Sequence, residues 1–177
     1  LLEHFGSLSA VFDADLASLQ KVPGVGARSA QLLQLIPALC RRYSIDRCRV
    51  GTILNTTEKV GAYLLPRFFG AKTEQLYLLC LDAKCKVLDC RMVMEGSVNT
   101  VGVSVRKVVE AALSKQATSV ILAHNHPSGI ALPSREDERT TLQIRDALDS
   151  VGIALLDHLI ISENDFVSMA DSGFFAF

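Results

Sequence analysis

Residues 118–137 read Thr-Ser-Val-Ile-Leu-Ala-His-Asn-His-Pro-Ser-Gly-Ile-Ala-Leu-Pro-Ser-Arg-Glu-Asp. The first six residues are β-branched or apolar for the most part, the pattern of a buried strand. That strand runs straight into His124. In extended chain, residues i and i+2 project to one side, so His124 and His126 face a common point at the strand's end. Pro127, Gly129 and Pro133 then impose a loop, and a helix is expected to begin at Ser134. On that helix Asp137 shares a face with Thr141, Ile144, Leu148 and Val151, and the apolar members mark the face as the buried one.

A carboxylate pointing inward needs a partner, because a bare buried charge is costly, and a metal ion is such a partner. Two imidazole nitrogens and a carboxylate oxygen leave a fourth tetrahedral position for water, as a catalytic zinc requires. A second reading of the same residues stands beside this one. Ser134-x-x-Asp137 has the form of a capping box, in which serine is the N-cap and the acid sits at N3. The two are compatible, since a cap fixes the helix end that would carry the ligand.

The run His124-x-His126-x7-Ser134-x2-Asp137 resembles the metal signature of the JAMM (MPN-type) metalloproteases. The longer string HNHPSG…PSRED, with Leu156-Asp157-His158-Leu159-Ile160-Ile161 downstream, resembles the RadC family within that group, over roughly residues 55–175. The resemblance implies one Zn²⁺ held by His124, His126 and Asp137. It implies that Ser134 supports the catalytic water or the oxyanion. It also implies an upstream catalytic glutamate at the head of an early strand. Glu74, just before Gln75-Leu76-Tyr77-Leu78-Leu79-Cys80-Leu81, occupies that position. Glu95 is the competing candidate, late in the next strand. A carboxylate beside the metal would shuttle the proton from water to the leaving nitrogen. The activity implied is hydrolysis of peptide or isopeptide bonds in a peptide or protein substrate. Asp157 and His158 lie in an apolar run and read either as core residues or as a shell that orients a ligand.

The remaining sequence reads as an α/β fold, a mixed β-sheet sandwiched by helices and preceded by a small helical domain, and this agrees with the JAMM/MPN-like, cytidine-deaminase-like fold that the resemblance implies. Residues 57–69 read as a helix ended by Gly70. Leu76–Leu81 and Lys86–Met94 read as hairpin strands about Asp82–Cys85, and Ser97–Val101 as a possible extension of the sheet. Val103–Ser114 reads as an amphipathic helix with Val105, Val108, Val109, Ala112 and Leu113 on one face. Strands are expected over 153–161 and around Phe166–Ser168.

The division is expected at residues 1–45 and 46–177. Leu8–Leu39 reads as helical with one break, at Lys21-Val22-Pro23-Gly24-Val25-Gly26-Ala27-Arg28, which resembles a helix-hairpin-helix turn. In such a turn backbone N–H groups hold a DNA phosphate, and Lys21, Gly24, Gly26 and Arg28 are the candidate contacts. A plain structural turn is the rival reading. Arg41, Arg42, Arg47 and Arg49 are expected to follow the helices as a basic stretch. A DNA-associated accessory role of the DNA-repair type, with a structural metal, is therefore the alternative to the hydrolase.

With 177 residues, 49% apolar content and a net charge of −1, the chain has material for a solid core and no global pull toward nucleic acid or membrane. No apolar run reaches the roughly 18 residues of a membrane span. Five cysteines, none spaced C-x-x-C, disfavour a disulfide framework or zinc knuckle and suit reduced thiols in a cytoplasm. No signal peptide is visible, and because Leu1 falls inside a helical pattern we expect a longer parent chain.

Overall fold

The computed structural model describes residues 1–48, 50–96, 101–127, 129–162 and 165–174, with backbone only for 101–104. The chain falls into two compact units, Leu1–Arg47 and Cys48–Phe177.

The first unit is helical: α1 Leu2–Phe5, α2 Leu8–Asp13, α3 Leu16–Gln20 and α4 Ala27–Arg47. The single break expected over residues 8–39 is instead two. The additional one falls at Ala14-Asp15, where Asp15 is an N-cap and its carboxylate accepts from Ser18 N at 2.8 Å. The second break is the 21–26 connection, where Gly24 adopts φ 86°, the left-handed region glycine enters at no steric cost. Val11, Leu19 and Ala30 form the unit's small core. The helix α4 continues past the expected end, so Arg41, Arg42 and Arg47 lie on it rather than after it. Arg42 pairs with Asp46 one turn on, at 3.0 Å. Arg49 lies outside the described residues.

The second unit is a five-stranded mixed sheet in the order β2-β1-β3-β4-β5. Its strands are β1 Gln75–Leu81, β2 Val87–Glu95, β3 Ser119–Asn125, β4 Ala154–Ser162 and β5 Asp165–Ser168. Only β3 and β4 run parallel. The helices are α5 Thr57–Phe68, α6 Val101–Ser114 and α7 Arg135–Asp149. Every residue of β1 and β3 is buried, because helices cover both faces of the sheet. Leu76, Leu78, Cys80, Val120 and Leu122 join the cluster with Val108 and Ala112 of α6 and Ile144 and Leu148 of α7. Tyr77, Leu79, Leu81, Ile121 and Ala123 join the opposite cluster with Val60, Tyr63 and Leu64 of α5. Each fully buried leucine contributes about 1.5–3 kcal/mol by leaving water. On α5, Gly61 lies so close to the Phe166 ring of β5 that a methyl group there would overlap it.

Two details depart from the expected faces. Leu113 of α6 is exposed and Ala111 takes its place against the core. Val151 is exposed beyond the end of α7, where Gly152 turns the chain at φ 73°. Of the expected 97–101 extension, residues 97–100 lie outside the described residues, and Val101 opens α6. No helix among the described residues is long and apolar enough to cross a membrane.

Candidate metal centre

The centre sits where β3 ends. His124 and His126 leave the sheet on the α7 side, the same side as Val120 and Leu122. Gly129, at φ 86°, turns the loop back, and its N–H donates to His126 O at 3.0 Å. The chain then enters α7 through Ser134. The capping box is present in both directions. Asp137 N donates to Ser134 Oγ at 3.2 Å, and Ser134 N donates to Asp137 Oδ2 at 2.7 Å. The Ser134 hydroxyl also donates to Oδ2, at 2.6 Å. The box therefore holds the carboxylate toward the histidines.

His124 Nε2 lies 2.8 Å from His126 Nε2 and 3.1 Å from Asp137 Oδ1, and His126 Nε2 lies 3.4 Å from Asp137 Oδ2. Zinc–ligand bonds of about 2.0–2.1 Å at tetrahedral angles separate neighbouring donors by about 3.3 Å, so these separations, taken to one carboxylate oxygen or the other, are close to those around a single such ion. The proton inventory points the same way. His126 Nδ1 donates to the Ile130 carbonyl at 3.1 Å, which leaves the Nε2 of its neutral ring bare. An ionised carboxylate is also acceptor-only. Bare donors this close repel unless a cation lies among them. The residues present therefore fit a metal ion, and among the described residues His124, His126 and Asp137 are the group able to hold one.

Burial alone would raise the Asp137 carboxyl, but the His124 imidazole beside it and the hydrogen bonds it accepts from Ser134 outweigh it and hold it well below the usual carboxylate range. Behind the triangle, His124 Nδ1 meets His158 Nε2 at 2.8 Å, and His158 Nδ1 meets Thr141 Oγ1 at 2.6 Å. His158 is 2% exposed, and its burial holds the imidazole neutral, well below its ordinary value. Asp157 faces away from the centre. It accepts from His158 N, Ala170 N and Ser168 Oγ, fastening β4 to the turn after β5, and burial pushes its carboxyl up.

Glu74 is half-buried at the head of β1. Its carbonyl accepts from Gly96 N at 2.8 Å, so strand pairing continues through it. Leu76 stands opposite His124, and Glu74 lies two residues earlier, just outside β1. Glu95 pairs with Gln75, and it accepts from Thr73 Oγ1 at 3.1 Å and Gln75 Nε2 at 3.2 Å. In the first unit Lys21, Gly24, Gly26 and Arg28 are all exposed around the α3–α4 connection. The role of Thr141 and His158 was the part least visible in the sequence. Its trace is Thr141 falling one turn after Asp137 on the buried face, and a histidine in a strand two steps short of level with His124.

Fold and donor triangle together define an α/β domain with a metal-capable centre at the carboxyl end of a parallel strand. The family model described as a RadC-like JAB domain matches residues 54–174, and the chain belongs to the RadC family. Its relatives include a UPF0758 protein of Paraburkholderia phytofirmans, 38% identical over 174 residues that cover 98% of this chain and 67% of that protein. A UPF0758 protein of Nitrosococcus oceani is 38% identical over 173 residues, covering 98% of this chain and 77% of the relative. One from Vibrio cholerae serotype O1 is 36% identical over the same shares.

Proposed function

We propose that the second unit is a zinc-dependent hydrolase of amide bonds, acting on a peptide or isopeptide in a protein substrate. The observation that carries this reading is the convergence of two imidazole nitrogens 2.8 Å apart on one carboxylate, whose oxygens lie 3.1 and 3.4 Å from them. Zinc bound there supplies Lewis acidity, which makes water nucleophilic near neutral pH and polarises a carbonyl. Glu74, at the head of β1, takes the proton from the attacking water and returns it to the leaving nitrogen. Ser134 orients Asp137, and its hydroxyl reaches the oxyanion by releasing Oδ2.

The test is metal content and turnover together. The purified full chain should carry about one zinc, and less than about half would count heavily against the reading. His126→Ala and Asp137→Ala should lose the metal. Glu74→Gln should keep zinc and lose cleavage of a peptide library by about 100-fold or more. Retained cleavage in Glu74→Gln would remove Glu74 from the chemistry.

The exposed turn at 21–26 supports a second role. There, backbone N–H groups at the start of α4 would take a DNA phosphate, with Lys21 and Arg28 adding charge. Lys21→Ala and Arg28→Ala should each lower DNA affinity and flatten its salt dependence. An unchanged salt slope would remove this role.

A further inference from the structure

We propose that Thr141 and His158 are positioning residues that fix the proton of His124 on Nδ1, so that its Nε2 lone pair is turned to the ion. The proposal rests on the metal reading above but not on hydrolysis.

The order of protons follows from one group that can only accept. Thr141 Oγ1 lies 2.6 Å from the Asp137 backbone carbonyl. Two oxygens approach this closely only with a proton between them, and the carbonyl has none, so the hydroxyl donates. That uses the single proton of Thr141. His158 Nδ1, also 2.6 Å from Oγ1, must then donate to it. A neutral imidazole with its proton on Nδ1 has a bare Nε2. His124 Nδ1, 2.8 Å away, is therefore the donor to His158 Nε2, and the remaining nitrogen of His124 is bare toward His126 and Asp137. A second proton on His158 would be an unpaired charge in an enclosed site, which closes the other way of satisfying the chain. The relay begins at the backbone of Asp137 and ends at the nitrogen facing that residue's own carboxylate, so one helix turn sets both the oxygen donor and the tautomer of the nitrogen donor.

Thr141→Val keeps the shape and removes the anchor. His158 Nδ1–H then has no acceptor. The relay reverses: His158 donates from Nε2, and His124 carries its proton on Nε2, where the ion should be. Two measurements test this on the full chain. The first is the imidazole ¹⁵N spectrum of the metal-free protein at pH 8, which distinguishes protonated from bare ring nitrogens. Wild type should show His124 and His158 protonated at Nδ1, and Thr141→Val should show both protonated at Nε2. The second is Zn²⁺ affinity by competition with a chelator. Thr141→Val and His158→Leu should weaken it about 10- to 100-fold, the usual effect of losing a group that orients a ligand. Thr141→Ser and His158→Gln, which keep a hydroxyl and an acceptor, should restore most of it. Thermal melts identify any variant that has merely unfolded. Wild-type His124 protonated at Nε2 would overturn the proposal, as would Thr141→Val with unchanged tautomers and affinity. Failure of the wild type to take zinc at all would sink the hydrolase reading instead, while the metal-free spectrum still decides the order of protons.

Discussion

Replacing Ser134 by alanine separates the two tasks this residue combines. Its hydroxyl accepts from Asp137 N at 3.2 Å and donates to Asp137 Oδ2 at 2.6 Å. Loss of a serine N-cap costs about 1 kcal/mol, within a range of about 0.5–2. Loss of a hydrogen bond to a charged group costs about 1.5–3 kcal/mol, and the low end applies because Ser134 N still donates to the same oxygen at 2.7 Å. The sum is about 2–3 kcal/mol in the metal-free protein. The second unit spans 130 residues (177 − 47). For a unit of that size about 1 kcal/mol moves the melting temperature by about 3–4 °C, so a drop of about 6–12 °C is expected. Urea and thermal denaturation of the EDTA-treated full chain measure it, and Ser134→Thr should recover most of the loss. A change below about 0.5 kcal/mol would refute the claim that the capping box holds the start of α7 and the carboxylate in place.

Other outcomes follow from the same structure. Burial pushes Cys80 up to about 11 and Cys90 up to about 12, so both should resist iodoacetamide at pH 8 while exposed Cys40 reacts, as read by mass spectrometry. Asp157 titrates above its unfolded value, so between about pH 4 and its folded pKa the unfolded chain holds fewer protons than the folded one. Stability should therefore fall as pH rises through that window, and Asp157→Asn should flatten that part of the urea-midpoint curve; an identical slope in the variant would disprove the assignment. Leu122→Ala, at a fully buried position of β3, should cost about 2–5 kcal/mol by equilibrium unfolding. Gly61→Ala should destabilise by about 1–3 kcal/mol despite alanine's better helix propensity, because the new methyl meets the Phe166 ring.

Much of the second unit was legible because its signals are local and periodic. The run into His124 is unbroken and apolar, and the structure makes it a strand buried on both faces. Ser134 and Asp137 announce a helix start at the spacing the cap requires, and α7 begins at the next residue. The helical unit was less legible. The break at Ala14-Asp15 went unread, because the apolar pattern runs on past it, whereas the short side chain of Asp15 competes for the backbone and starts a new helix. The extent of α4 was missed because the run of arginines after Leu39 read as a stretch following the helices, and the helix carries Arg41, Arg42 and Arg47. The choice between Glu74 and Glu95 could not be made from spacing, since it depends on strand register across two pairings. The relay through His158 depends on a parallel pairing of residues 34 apart, and no sequence pattern reports which nitrogen carries a proton.

The nesting of Phe166 against Gly61 joins the first helix of this unit to its last strand, more than a hundred positions later. Phe166 is made late among the side chains around α5, so its seat at Gly61 fills only after synthesis has passed β5, later than the contacts that helix makes with β1 and β3. A nascent polypeptide stalled short of residue 166 would leave the side of that helix around Gly61 uncovered and open to chaperones and proteases.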